Sequence, residues 1–516
     1  METSALETWF IIVVSLCTAA LIRSIIFHRK NKLPPGPPLL YSTFLLLTIS
    51  RLKFEPILIN LKARYGPIFT LPFGIRTNIF VGNHSLAHQL LIQKGAVFSD
   101  RPKSLGMRNI SGCSYGPTWR TLRRNLASEI MHPARIRSYS WARKWVLQIL
   151  IERILERQES EGIKVVDHFQ YAMFCLLVFM CFGDKFDESK INEIANVQRD
   201  MLIKAGSGRF AVFTLFPKLG KVLFRNRWKE FEKLRSDKDE VLIPLIKSRI
   251  GSANSEGRLG KKQRIVAYVD TLVNLQLPEE EEADNGNGGR LTDEEMASMC
   301  SEFLNAGTDT TSTALQWIMA NLVKHPSIQS KLFDEIVAVV GPPPPRKGVK
   351  LESESVINEE DLQRMPYLKA VVLEGLRRHP PGHFVLPHRV MKEVEVQGYT
   401  IPQGATINFM VNEMGLDPNV WDDPLEFKPE RFLVNDGAFD ITGSKGIKMM
   451  PFGAGRRICP GSDLALLHLE YFVANLIWYF NWTVPDDCHV DLSEKVEFTV
   501  VMKNPLRAQV SSRAQE

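Results

Sequence analysis

One cysteine stands where a thiolate could bind a metal. Cys459 lies in Pro451-Phe-Gly-Ala-Gly-Arg-Arg-Ile-Cys-Pro-Gly461, and an apolar helical run from Leu464 to Trp478 follows. A cysteine just before a helix N-terminus meets backbone N–H groups and the positive end of the helix dipole, which favour an anion and lower a thiol's pKa. Gly453, Gly455 and Gly461 carry no side chain to obstruct a flat ligand over the sulfur. Such a loop suits a thiolate that binds iron. Cys459-Pro-Gly by itself reads rather as a buried cysteine in a glycine-rich turn; the full spacing is what shifts the balance.

Three other groupings could serve chemistry. Ala306-Gly-Thr-Asp-Thr-Thr311-Ser-Thr313 sits in the middle of a long helical pattern that begins at Thr292 with a capping box to Glu295 and runs to Lys324, before His325-Pro326. That helix measures about 48 Å. Gly307 costs it roughly 1 kcal/mol against alanine, and hydroxyls at 308 and 310–313 can bond back to carbonyls and bend it. A kinked turn presenting a carboxylate and an alcohol over a small ligand would account for the choice. Trp119 and Arg123 stand four apart and share a helix face; this is also the spacing of an ordinary cation–π or packing pair on a surface helix. Glu374 and Arg377 lie three apart, the spacing of a solvated ion pair, and Phe427-Lys-Pro-Glu-Arg-Phe432 supplies a further arginine, Arg431.

Phe452, Gly455, Arg457, Cys459 and Gly461 fit Phe-x-x-Gly-x-Arg-x-Cys-x-Gly. This resembles the haem-binding loop of the cytochrome P450 superfamily, the haem-thiolate monooxygenases. The wording of the loop, and of Met365-Pro-Tyr-Leu-Lys-Ala-Val-Val-Leu-Glu374, is similar to that of plant-type microsomal members. The resemblance covers nearly the whole chain. It implies a mainly α fold with a small β region, the cytochrome P450 fold, as one large haem domain over 39–516. The cofactor would be haem b (iron protoporphyrin IX), with Cys459 as axial ligand to the iron and Phe452 and Gly461 shaping the loop. Trp119, Arg123, Arg457 and, in Leu386-Pro-His388, His388 would clamp the propionates. Asp309 and Thr310 would be the acid–alcohol pair that relays protons to bound dioxygen. Glu374, Arg377 and Arg431 would form a buried structural network behind the cysteine loop.

The same resemblance implies NADPH used indirectly, through a membrane-bound NADPH–cytochrome reductase, with cytochrome b5 as a second donor. Arg120, Arg124, Lys445, Lys448 and Arg456 could dock such a partner, or simply be a solvated face. Segments that line the pocket in the family correspond to Ser104–Ile110, Phe303–Ala306, Gly382–Leu386 and Phe498–Val500. They are mostly apolar and point to a small lipophilic substrate, of plant secondary-metabolite or pigment/lipid type. Rearrangement or dehydration on the same cofactor, or a haem carrier or sensor that does not turn over, are the alternatives to oxygen insertion.

The remaining sequence says where this chemistry is housed. With 44% hydrophobic and 24% charged residues the composition is that of a globular protein, and a dispersed net charge of +6 does not imply nucleic acid. Seven scattered cysteines without paired spacing argue against a disulfide framework or a zinc site and for a reducing compartment. Trp9 to Phe27 is long and apolar enough to span a bilayer. Glu2 and Glu7 precede it, and Arg23, His28, Arg29, Lys30 and Lys32 lie at its end or follow it, so the positive-inside bias places the bulk of the chain in the cytosol. The reading is residues 1–33 as a single-pass endoplasmic reticulum anchor with its basic flank, and Pro34-Pro-Gly-Pro-Pro38 as a stiff hinge. Short β-like runs are expected at Pro67–Leu71 and Thr77–Val81, and a turn at Phe98–Pro102. Ala211–Trp228 reads as a core helix with a basic solvated face, or else as a second contact with the membrane surface.

Overall fold

Prolines 34, 35, 37 and 38 cannot continue a helix, and the chain runs without regular structure over 33–38 before entering the helix Leu39–Thr48. In the computed structural model the described residues are 32–48, 54–73, 76–103, 105, 108–156, 162–206, 208–215, 217–256, 265–278, 289–345, 356–433, 439–485 and 488–513. The Trp9–Phe27 segment and most of the anchor therefore lie outside the described residues. The chain divides into two compact units, each assembled from discontinuous stretches.

The first unit comprises Met1–Pro102, Gly382–Asp422 and Asp440–Ile458. Both expected β runs are present, as Ile68–Phe73 and Arg76–Val81, paired antiparallel from Ile68↔Val81 to Phe73↔Arg76. Arg76–Val81 also pairs in parallel with Thr406–Phe409, which carries His388–Arg389 antiparallel on its other edge. Ile68, Ile79, Val81, Ile407 and Phe409 bury one face of this sheet with Leu90, Phe98 and Ala454. The proline segment is docked here rather than free to swing. Thr70 donates its backbone N–H to Pro35 O (2.9 Å) and its hydroxyl to Pro34 O (2.8 Å). A Cβ at Gly36 would lie 1.9 Å from Thr70 O, so only glycine fits that approach.

The second unit comprises Lys103–Pro381, Asp423–Phe439 and Cys459–Glu516 and is mostly helical. Its axis is the helix Asp293–Lys324, opened by the Thr292–Glu295 capping box and closed at His325, as its sequence predicts. Side chains from Thr311 to Val323 are all buried. The apolar helix Val165–Phe182 packs against it; this helix is long and apolar enough to cross a membrane, but 78% of it is buried inside the protein, so it is a core helix. Two glycines permit close helix contacts. A Cβ at Gly307 would lie 2.6 Å from Leu177 Cδ1, and one at Gly375, on Pro366–Arg378, would lie 2.4 Å from Ile318 Cγ1. Gly307 thus has a packing reason that the helical pattern alone does not show. A second small sheet joins Ile163–Lys164, Arg507–Ser512 and Phe480–Thr483.

The 211–228 region departs from the single core helix. It contains Ala211–Leu215, Pro217–Leu223 and the start of Arg225–Glu256. Leu219, Val222 and Leu223 stand 57%, 76% and 64% exposed, interleaved with Lys218, Lys221 and Arg225. Pro217 ends the first of these helical runs by opening a new one, and the turn leaves the aliphatic side chains without a core to enter.

Candidate active site

In the second unit Cys459 stands three residues before the helix Ser462–Tyr479, for which Gly461 is the N-cap. The cysteine is half-buried. Burial pushes its thiol pKa up, while a hydrogen bond from the Gly461 backbone and the positive charge of Arg123 pull it down, against a smaller push from Asp463. A Cβ at Gly461 would meet nothing nearer than Met131 Cε at 3.9 Å, so the space beside the loop is open there. Arg123 and Trp119 come from the helix Pro117–Asn125, begun by Gly116 and Pro117. Trp119 is buried against Tyr115, ring centroids 5.2 Å apart, and the cation over Tyr115 is Arg120 rather than Arg123. Burial lowers the Arg123 pKa, and Cys459 opposes that shift. The structure therefore brings Arg123 into electrostatic reach of the cysteine.

The long helix stays α-helical through Ala306–Thr313. The back-bonding expected of its hydroxyls is present. Thr310 Oγ1 donates to Ala306 O (2.6 Å) and Ser312 Oγ to Thr308 O (2.8 Å), while Thr313 pairs with Thr499 at 3.0 Å. Asp309 is partly buried, and burial pushes its carboxyl pKa up; Arg199 pulls it down and Glu497 pushes it up. Asp309 thus holds its proton more readily than an ordinary aspartate. Beside it Thr310 offers oxygen lone pairs, its hydroxyl proton being engaged.

Glu374, Arg377 and Arg431 come together in a buried cluster. Arg377 Nε and Nη2 grip the two oxygens of Glu374 at 2.7 and 2.8 Å, and both side chains are inaccessible to solvent. Arg431 Nε adds a third bond at 3.1 Å, and the backbone N–H of Lys428 a fourth at 2.8 Å. Arg377 continues to Pro424 O (2.9 Å) and Glu426 O (3.2 Å). This is no solvated ornament but a hub that ties Pro366–Arg378 to the 424–431 stretch.

In the first unit the chain makes a compact positive site. Gly453 and Gly455 both have φ of +71°, and a Cβ at Gly455 would lie 2.1 Å from Leu91 O. Phe452 is half-buried just before these turns. Arg457, buried, donates from Nε to Ser99 O at 2.8 Å. His388 Nδ1 bonds Phe98 O at 2.6 Å. A residue that the sequence reading left inside a turn, Arg101, belongs with them: it is buried and donates to Leu386 O (2.7 Å) and Pro387 O (2.8 Å). Its pKa is pushed down to about 9 by burial and by Arg457, with Asp100 opposing. The signal in the sequence is an adjacent charge pair, Asp100-Arg101, inside the Phe98–Pro102 turn.

His388 holds the Phe98–Arg101 turn through its bond to Phe98 O. Burial, and next Arg101, push its pKa down to about 3; the Phe98 carbonyl opposes this and Arg457 adds to it. Arg101 and Arg457 are the guanidiniums that stand with it.

These residues fit an iron porphyrin. Among the described residues no group of three or more His, Cys, Asp or Glu could hold a bare ion, so a metal at Cys459 must bring its other ligands with it. Two buried guanidiniums, Arg457 close enough to lower the pKa of Arg101, suit a ligand that carries carboxylates.

Comparison with known proteins decides the family. A model described as cytochrome P450 matches residues 34–511. Cytochrome P450 89A9 of Arabidopsis thaliana is 46% identical over 98% of both chains. A geraniol 8-hydroxylase of Catharanthus roseus is 31% identical, over 94% of this chain and 95% of its own. The chain belongs to the cytochrome P450 family. Zebra fish cytochrome P450 structures with abiraterone and with progesterone share the fold, with TM-scores of 0.69 and 0.68 at 22% identity over 89% of this chain and 99% of theirs. As a plant-type member of this family the protein is a monooxygenase, an oxidoreductase that inserts oxygen using NADPH-derived electrons, and a haem-thiolate cofactor is consistent with that membership.

Proposed function

We propose that the protein binds haem b through Cys459 and oxidises a small lipophilic substrate at the endoplasmic reticulum membrane. The observation that carries this reading is the Cys459 thiol itself, half-buried with a backbone hydrogen bond from Gly461 and Arg123 within electrostatic reach. Both favour the thiolate, against burial, which outweighs them and leaves the thiol's pKa raised. When bound, haem would supply the activation of dioxygen, and Cys459 would be the thiolate that donates electron density to it. The protein's part is to hold and to move protons. Arg101, Arg457, Arg123 and the Trp119 indole would bind the propionates. Asp309 would pass protons inward, and Thr310 would keep them directed to the oxygen that leaves as water. This intact acid–alcohol pair favours oxygen insertion over rearrangement, dehydration or a carrier role.

Family membership supports a lipophilic substrate and a reductase partner. The names of two relatives, the geraniol 8-hydroxylase and a geranylhydroquinone 3''-hydroxylase of Arnebia euchroma that is 30% identical, describe hydroxylation of isoprenoid-derived compounds. The apolar Phe303–Ala306 segment agrees with that class. Electrons would come through NADPH–cytochrome reductase, with cytochrome b5 as a second donor, and the anchor in residues 1–33 would share their membrane. Carbon monoxide added to the reduced protein should give the red-shifted Soret band of thiolate ligation, and Cys459→Ala should abolish it. A histidine-type spectrum would sink the ligand assignment.

A further inference from the structure

Within the second unit the long helix Asp293–Lys324 ends at His325, and Pro326 opens the next helix, Pro326–Val340. This corner, the strand Phe480–Thr483 and Arg513, which follows the paired strand Arg507–Ser512, together line a cavity of about 270 Å³. Val323 and Trp482, both buried, and the half-buried Val484 give it apolar walls, and Ser330 and Thr483 are its exposed hydroxyls. Val323 lies thirteen residues beyond Thr310, about 20 Å along the helix axis. No residue assigned to haem or oxygen lines this cavity. Its one charge is Arg513, and that guanidinium is braced. Nε donates to Phe480 O (3.1 Å), and Nη2 to Asn481 Oδ1 (3.1 Å) and Gln329 Oε1 (3.3 Å), while the ring of Phe333 lies 4.1 Å from the guanidinium carbon. Gln329 is locked in turn, donating from Nε2 to Leu322 O and Trp482 O and accepting the Trp482 backbone N–H. Nη1 takes part in none of these bonds.

We propose that this cavity is a second small-molecule site, apart from the catalytic one, and that it binds an amphiphilic monocarboxylate about the size of phenylpropanoate. The volume is the first argument. It is about nine times a water's share of roughly 30 Å³, room for one phenyl ring on a short chain, and at the small end for a ligand pocket. The charge is the second. A guanidinium stacked on Phe333 and fixed along one edge is pre-organised for a planar carboxylate, so little further freedom is lost on binding. The single cation matches a single negative charge. Asp334, near enough to oppose the lowering of the Arg513 pKa by burial, would repel a second charge, which disfavours a phosphate dianion. Ser330 and Thr483 can donate to the carboxylate, and the ring gains by leaving water for Val323, Trp482 and Val484.

Equilibrium dialysis of phenylpropanoate against the full-length, haem-loaded protein in nanodiscs tests this, with empty nanodiscs as the blank. Phenylimidazole is held at saturation so that the haem iron and the space above it are taken. One equivalent of the acid should still bind. The neutral phenylpropanol should bind about tenfold or more less tightly, the factor that one charge-assisted hydrogen bond represents. Arg513→Gln should erase that preference, weakening the acid about tenfold while the alcohol changes little. Ser330→Trp narrows the cavity and leaves Arg513 in place, so it should weaken acid and alcohol together; it carries the comparison should Arg513→Gln fail to fold. Loss of all bound acid to the azole overturns the second site. Equal binding of acid and alcohol by the wild type, or acid binding unchanged in Arg513→Gln, overturns the carboxylate assignment. Acid binding unchanged in Ser330→Trp places the ligand elsewhere and overturns the cavity.

Discussion

Asp309 and Thr310 sit side by side on the long helix, and the different jobs proposed for them are separated by pH. Burial and Glu497 raise the Asp309 pKa, and Arg199 lowers it. A step that needs the protonated acid is fastest below that raised value and declines as pH rises through it. Glu497→Gln should therefore move the alkaline limb of the rate profile to lower pH, and Arg199→Ala to higher pH; steady-state rates across pH will show either shift. Thr310→Ala should instead leave NADPH consumption running while product falls and peroxide appears, read from the product-to-NADPH ratio. Arg101→Gln should weaken haem retention about tenfold or more in a competition with apomyoglobin, because a charge-assisted contact to a carboxylate is lost. What the sequence made legible here, Cys459, Arg457, Asp309 and Glu374, came from motifs that together resemble the cytochrome P450 signatures; the spacing of Glu374 and Arg377 alone is that of a solvated ion pair. Arg101 and the downward pKa shift of His388 were not legible there. Both depend on the Phe98–Arg101 turn meeting Leu386–Arg389, a contact between residues almost three hundred positions apart.

Among the elements, the helix Pro366–Arg378 shows how a weak sequence signal becomes a strong structural one. A solvated i,i+3 pair contributes a few tenths of a kcal/mol; the Glu374–Arg377 pair, buried and bonded on to Arg431 and Lys428 N–H, is a different object. Glu374→Ala strands two arginines around the vacated carboxylate. It should destabilise the fold by about 3–5 kcal/mol, seen as a lower thermal midpoint and loss of the thiolate spectrum during expression. The 211–228 region, for which a core helix and a membrane-surface contact are the two expectations, departs from the core helix. Its apolar residues recur at helical spacing, yet the break at Pro217 turns Leu219, Val222 and Leu223 outward beside Lys218 and Lys221. Apolar side chains flanked by lysines suit the interface of an anionic bilayer.

For the whole molecule, the proposed anchor in residues 1–33 and the exposed aliphatic face at 219–223 would give two attachments to the membrane. Deleting residues 1–33 should leave the haem spectrum intact, because none of the residues assigned to haem or oxygen lies there. It should lower turnover with a membrane-bound reductase, as the shared plane and its high effective concentration are lost. Some of the truncated protein should still sediment with vesicles. Adding Leu219→Ser, Val222→Ser and Leu223→Ser should release it; continued sedimentation would remove the 211–228 contact from the account. The docked proline segment adds a cost to longer deletions. Removing 34–38 as well takes away the partners of Thr70 on the strand Ile68–Phe73.

The discontinuous units also govern how the protein can be made. Arg457 reaches back across 358 residues to Ser99, Glu55 waits for Asn412 across 357, and Gly162 meets Arg507 across 345. At about 5–20 residues per second, such a wait lasts roughly 20–70 s on the ribosome. The first unit lacks its last stretch until Ile458 has been made, and the cysteine is the very next residue. Haem capture through that thiol, as proposed, would thus be a late event in the life of the nascent chain. The strand Arg507–Ser512, paired with both Ile163–Lys164 and Phe480–Thr483, is later still. A stop codon a few residues before it would yield a chain with every assigned site residue present and one small sheet unable to form.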